Sequence, residues 1–239
     1  MGLNGQRVVI VGGTSGMGLA TARAAAAAGA DVTVASSSEH KVAAALTTLP
    51  PSCTGRTVDI RDEAAMAALF DEVGPFHHLV ITAGDTFAPR PLTDTTSADV
   101  GQGLEVRFIR AVSAVRLASA NLAPTGSVTF TSGQVAVRPL PGAALATAGA
   151  AAVEGLALGL AVELAPVRVN VVRPGPIETE MWDVYPPEER AAHLAATAER
   201  TLTRTVGQPA DVAAAYLYLM QNPFVTGTVL PVDGGIVLT

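Results

Sequence analysis

Residues 12–18 read Gly12-Gly13-Thr14-Ser15-Gly16-Met17-Gly18. Glycines at this spacing let a backbone turn tightly and come close to a pyrophosphate, while the first amides of a following helix meet the negative charge. The turn follows a short apolar run and precedes an Ala-rich stretch, the setting a dinucleotide-binding turn requires. A plain strand-to-helix turn is the alternative, and the flanking elements favour nucleotide binding. After the next β-branched run, a carboxylate would bind the ribose 2′-hydroxyl of NAD. The chain instead has Ala35-Ser36-Ser37-Ser38, with His40 and Lys41 nearby. Residues 35–38 themselves carry no carboxylate to repel a 2′-phosphate, and hydroxyls and a cation can bond to one. The expected cofactor is therefore NADP(H) in preference to NAD(H). Ser38 also suits the N-cap of the next helix, which is the structural reading of the same serines. His77 and His78 have no third ligand to accompany them, so no metal site is expected.

Composition narrows the remaining classes. The chain has 239 residues and a formal net charge of −6; it is 49% apolar, 15% charged and 4% aromatic. It is too apolar for disorder. Its acidity and lack of a basic run exclude nucleic-acid binding through phosphates. One cysteine, Cys53, makes neither an internal disulfide nor a thiolate zinc site, which points to a reducing cytoplasm. The first residues have no long apolar core of a signal peptide. Residues 143–165 are weakly polar, but Glu154 and Glu163 interrupt them. Carboxylates are expensive inside a bilayer, so a buried helix and no membrane association are expected.

The elements that must position the glycine turn alternate in period. Short β-branched or apolar runs at 7–11, 31–35, 54–59, 78–82, 127–131, 167–172 and 228–232 predict strands. Helical patterns occupy 16–29, 38–49, 62–73, 99–122, 143–164 and 211–221. This alternation predicts βαβ units. The expected architecture is a single-domain α/β fold over 1–239, a doubly wound parallel sheet (Rossmann-like) with helices on both faces. Residues 174–205 break the rhythm, with Pro174, Pro176, Pro186, Pro187, Trp182 and Tyr185. An insertion after a strand's carboxyl end is expected to form a substrate lid.

Over nearly its whole length the chain resembles the short-chain dehydrogenase/reductase family. Gly12, Gly16 and Gly18 match its TGxxxGxG turn, with Val11 in place of the Thr. Asp59 matches the Asp that contacts adenine. Ala83-Gly84 match the end of NNAG, although Ile81-Thr82 replace both asparagines. Arg168-Val169-Asn170 with Pro174-Gly175, and Thr226-Gly227 with Asp233-Gly234-Gly235, match two further segments. The resemblance implies cofactor contacts at Gly12, Thr14, Ser15, Gly16, Met17, Gly18, Ser36, Ser37, Ser38, Asp59, Ile60, Ala83, Gly84, Pro174, Gly175, Ile177 and Thr179. The family's usual arginine after the second strand is missing.

The family's Asn-Ser-Tyr-Lys set is also missing. The segment Ala151-Ala152-Val153-Glu154-Gly155-Leu156 resembles the stretch that follows its YxxxK. By that anchor Ala150 stands for the Lys, Ala146 for the Tyr, Gly133 for the Ser and Arg107 for the Asn. No tyrosine precedes Trp182 and no lysine follows Lys41, so no shift restores the pair. Tyr216 and Tyr218 fall in a helical stripe and read as packing, while Tyr185 lies in the lid. The catalytic candidates are Arg107, Ser132 and Asp85. Arg107 could clamp an anionic group or a ribose hydroxyl, or else pair with Glu105. Ser132 could turn its hydroxyl inward, and Asp85 follows a strand's carboxyl end. Arg138 could face the pocket mouth, Thr147 adjoins the Tyr position, and His193 reads as a surface residue.

The leading expectation is an oxidoreductase that moves hydride between NADP(H) and a small organic substrate needing little acid catalysis, such as an iminium or activated alkene. A cyclase or isomerase, and a dinucleotide sensor or inactive subunit, are the alternatives. The resemblance further implies a homodimer or homotetramer built on helices 99–122 and 143–164 and the last strand.

Overall fold

Seven strands form one parallel sheet in the computed structural model, which describes residues 2–84 and 90–239. The order of elements is β1 (Arg7–Val11), α1 (Gly16–Ala27), β2 (Asp31–Ser36), α2 (Glu39–Leu46), β3 (Thr54–Thr57), α3 (Glu63–Val73) and β4 (Phe76–Ile81). Then come α4 (Ser97–Leu104), a π turn (Glu105–Arg110), α5 (Ala111–Ala118), β5 (Leu122–Thr131), α6 (Ala144–Glu163) and β6 (Arg168–Pro174). The chain ends with α7 (Pro187–Ala198), α8 (Pro209–Gln221) and β7 (Val229–Val232). The strand order β3-β2-β1-β4-β5-β6-β7 reverses direction between β1 and β4. A crevice opens at such a reversal, at the carboxyl ends of the strands. The registers Val9↔Leu79 and Val80↔Thr129 align these ends.

Both sheet faces are covered, which explains the unbroken apolar strand runs. Side chains alternate across the sheet. Val9 and Val11 pack with Phe70, Phe76, Val115 and Val153 on one side. Val8 and Ile10 pack with Ala22, Ala25, Tyr216 and Leu219 on the other. Ser38 caps α2 by accepting from the Lys41 amide at 3.3 Å, and Asp62 caps α3 through Ala65 at 3.0 Å.

Three expectations need correction. The helix read over 99–122 starts at Ser97, stops at Ala118 and is interrupted by the π turn at Glu105–Arg110. Strand β5 starts at Leu122, through a Pro124-Thr125-Gly126 segment that reads as a turn. Helix α6 is not buried all round. Gly149, Ala150, Val153 and Ala157 are buried, Gly149 against Gly103 and Leu104 of α4, but Leu158 is 53% and Val162 82% exposed. By length and composition α6 is the one helix among the described residues that could cross a bilayer; here it lies against β6. Tyr216 is fully buried, as packing requires, whereas Tyr218 is 46% exposed.

His78 is a neutral core residue. Its Nδ1 lies 2.8 Å from Ser127 Oγ and its Nε2 2.6 Å from Gln6 Oε1. Burial lowers its pKa to about 3, helped by the nearby charges of Arg168 and His77. In the unfolded chain the imidazole titrates near 6.5. Between those values the unfolded state binds the extra proton, so this contribution is complete above about pH 6.5 and is lost as pH falls. The expected loss is about 1.4 kcal/mol per pH unit, or roughly 3 kcal/mol by pH 4.5. Urea unfolding at pH 7 and 4.5 checks it: His78→Gln should be less sensitive to acid than the parent.

Candidate active site

The glycine turn crosses the carboxyl ends of β1 and β4. The Gly12 amide donates to the Ala35 carbonyl at 2.8 Å, and the Ala83 amide to Val11 at 3.1 Å. Gly12 has φ +90°, a conformation costly for any side chain. A Cβ at Gly12 would lie 2.6 Å from the Ala83 nitrogen, and one at Gly18 2.2 Å from the Gly12 carbonyl oxygen. Glycine is therefore required where backbone meets backbone. Ser15 forms the N-cap of α1 without a side-chain hydrogen bond, and the first turn has no acidic residue. The helix thus presents amides that local capping leaves available to an anion. This cradle fits a dinucleotide's pyrophosphate.

The other positions expected to contact a cofactor lie as follows. Ser36 ends β2, with its Oγ 3.5 Å from the Ser38 amide, and Ser37 is exposed. Asp59 Oδ1 accepts from the Arg61 amide at 2.9 Å, and Ile60 is buried beside it. Thr14 is buried and Met17 half-buried. Ala83 and Gly84 follow β4. Across the crevice Pro174 ends β6, the Gly175 amide donates to Val232, and Ile177 bridges to Gly207. Thr179 caps the short turn Glu180–Val184, through which the lid begins. The structure brings the Gly12–Gly18 turn and Thr179 together: a Cβ at Gly16 would be 3.2 Å from the Thr179 methyl.

Arg107 sits in the π turn, a helical irregularity frequent at functional sites. Its Nη1 donates to the carbonyls of Thr131 at 3.3 Å and Ser132 at 3.2 Å, at the carboxyl end of β5. A Gly84 Cβ would be 2.7 Å from its Nη2. The guanidinium thus spans the ends of β4 and β5. Glu105, weighed as its partner, pairs instead with Arg110 at 3.2 Å and Arg61 at 3.6 Å. Below it, the buried Tyr216 hydroxyl lies 2.5 Å from Thr131 Oγ1, and burial pushes its phenol well above the usual range. That makes it a poor acid, consistent with packing.

Ser132 is 2% exposed. Its hydroxyl donates to Glu154 Oε1 at 2.5 Å, while its oxygen accepts from the Gly133 amide at 2.6 Å. Glu154 is held bidentately by Arg173, at 2.7 and 2.6 Å. The carboxylate keeps the Arg173 guanidinium firmly protonated. These side chains are only 14% and 16% exposed. The Ser132 proton is therefore committed to a carboxylate. Glu154 lies on α6 two turns beyond Ala146 and one beyond Ala150, so the polar centre of this helix face has moved along its axis.

Asp85 lies outside the described residues. Arg138 bonds Thr239 Oγ1 at 2.8 Å and the Ile236 carbonyl. Thr147 Oγ1 and Gln134 Oε1 are buried without a partner. In the lid, Tyr185 and His193 stack with centroids 4.2 Å apart, and Trp182 Nε1 donates to Ile177 at 2.8 Å. No group of three metal-ligating side chains occurs among the described residues. The sequence reading missed Glu154, Arg173 and Glu180. Glu154 was visible only as a charge interrupting an apolar helix, and its partner lies 19 residues away.

Comparison with known proteins agrees with this fold. A family model described as enoyl-(acyl carrier protein) reductase matches residues 11–237. A protein from Stachybotrys chlorohalonatus named "Short-chain dehydrogenase/reductase ATR9" is 36% identical over 249 residues, 98% of this chain and 97% of its own length. A solved structure described as "MalC Reductase/Diels-Alderase from Malbranchea aurantiaca" superimposes with TM-score 0.93 at 35% identity, covering 99% of this chain and 98% of that one. A small-chain dehydrogenase solved in complex with NADPH gives TM-score 0.85 at 31% identity, covering 98% and 99%.

Proposed function

The chain belongs to the short-chain dehydrogenase/reductase family, and from that premise we propose that it is an NADP(H)-dependent oxidoreductase working without the family's Tyr and Lys. The observation that carries the reading is Arg107, whose guanidinium spans the ends of β4 and β5 beside the glycine turn. The Gly12–Gly18 turn and the α1 amides hold the pyrophosphate, Ser36–Ser38 and Lys41 the 2′-phosphate, and Asp59 and Ile60 the adenine. Ala83, Gly84, Pro174, Gly175, Ile177 and Thr179 line the rest. The bound nicotinamide supplies hydride chemistry. Arg107 stabilises negative charge that develops on the substrate, as a preorganised cation does in a desolvated site. Ser132, its proton held by Glu154, fixes the strand end on which Arg107 rests. The substrate is a small organic molecule that needs little acid catalysis: on an activated alkene Arg107 stabilises the enolate-like charge left by hydride addition and water supplies the proton, whereas an iminium is neutralised by hydride and needs neither.

A second reading has one specific support. The Malbranchea relative is named for both a reductase and a Diels–Alderase, so a pocket of this shape could also direct a cyclisation. The exposed Leu158 and Val162 on α6 favour a homodimer or homotetramer.

Two assays test the proposal. Nicotinamide absorbance is followed with a panel of ketones, imines and enones; turnover supports the redox reading, and tight cofactor binding without turnover supports the second. In a fluorescence titration NADPH should bind at least about tenfold more tightly than NADH, as a charge-assisted phosphate site implies. Comparable affinities would remove the 2′-phosphate role from Ser36–Ser38.

A further inference from the structure

The first amide of α1 already faces an anion belonging to the chain itself. The Gly16 amide donates to Glu180 Oε1 at 3.4 Å. Among the described residues this is the one hydrogen bond joining the lid to the glycine turn. Helix α1 has no capping side chain and no acidic residue in its first turn, so its positive end draws the carboxylate from 164 residues away. The approach is close: a Cβ at Gly16 would meet Glu180 Oε2 at 3.3 Å and the Thr179 methyl at 3.2 Å. Glu180 opens the short turn Glu180–Val184. The lid is braced within itself, since Arg190 pairs with Glu178 at 3.4 Å and Asp183 at 2.6 Å. The Glu178 amide also bonds the Gly207 carbonyl at 2.8 Å. The lid is thus anchored at its base, and Glu180 is its contact with the cradle.

We propose that Glu180 is an internal pyrophosphate mimic that latches the lid over the glycine turn and must be displaced when an anionic ligand binds there. This rests on the reading that the turn binds a dinucleotide. A pyrophosphate and a carboxylate compete for the same first-turn amides, and two anions do not share them. Dinucleotide binding therefore releases the inner edge of the lid, so cofactor arrival and lid opening are one event. The latch lowers cofactor affinity by the worth of an anion at a helix N-terminus.

The test is titration of the parent and Glu180→Gln with NADPH and, separately, with inorganic pyrophosphate. Glu180→Gln should bind both ligands roughly two- to fivefold more tightly at low ionic strength. That advantage should shrink towards none near 1 M salt, where screening acts over only about 3 Å. Glu180→Ala should behave in the same way. Equal affinities at low salt, or weaker binding by the variants, would overturn the latch. If neither protein binds NADPH the dinucleotide reading fails, and pyrophosphate alone decides: tighter binding by Glu180→Gln upholds the latch, and equal binding overturns it.

Discussion

Replacing Arg107 with alanine is expected to lower kcat/KM by about 100- to 1000-fold, the usual loss when a preorganised donor to developing negative charge is removed. Two features make the effect large. The guanidinium is fixed by the Thr131 and Ser132 carbonyls, so it need not reorganise during reaction. The resemblance places Ala146 and Ala150 where the family's acid–base pair stands, and alanine can supply neither a proton nor a charge. Arg107→Lys keeps the charge but loses the planar guanidinium that bonds both carbonyls through Nη1 while Nη2 lies beside Gly84, and should fall between parent and alanine variant. Steady-state kinetics beside an NADPH titration locates the loss. Binding retained with turnover lost assigns Arg107 to the chemistry, whereas an unaffected alanine variant removes it from the site.

The second large effect is expected at Gly18. A methyl there would stand 2.2 Å from the Gly12 carbonyl oxygen and 2.6 Å from Thr82 Oγ1. Backbone cannot yield as a flexible side chain does, so either the turn moves or α1 shifts away from β1. Overpacking of this kind costs about 1–3 kcal/mol, or roughly 2–10 °C in Tm for a domain of this size. The functional loss should be greater, because displacing the turn misplaces the amides that hold the pyrophosphate. Gly18→Ala is expected to bind NADPH at least about 100-fold more weakly while staying folded. Thermal melts and fluorescence titration check both parts. Near-parent affinity would show that this turn does not hold the cofactor.

Much of the fold was legible because its signals are local. The Arg7–Val11 run, the glycine turn and the Ser38 cap depend on neighbours a few residues apart, and they stand where the local pattern put them. The π turn was not legible, because Glu105–Arg110 has an ordinary helical composition and its irregularity arises from tertiary seating. The start of β5 was hidden by Pro124 and Gly126, which resemble a turn until Gly126 is seen pressed against His77: a Cβ there would fall 2.0 Å from the His77 carbonyl oxygen. At the site the nucleotide cradle could be read from spacing. The Ser132–Glu154–Arg173 cluster and the Glu180 contact could not, since each joins residues from separate elements. Arg107 was found by what it replaces, but its partners were not: Glu105 was the sequence neighbour, and strand-end carbonyls proved to be the contact.

The most direct test of hydride transfer without a Tyr–Lys pair uses NADPH deuterated on the nicotinamide C4. The protein is incubated with the imine or enone that turns over best, and the product is weighed by mass spectrometry. One deuterium per product molecule from one face of the nicotinamide, with labelled product forming about 100- to 1000-fold more slowly in Arg107→Ala, is the predicted result. Product formed without label, or labelled product formed as fast by Arg107→Ala as by the parent, would contradict it.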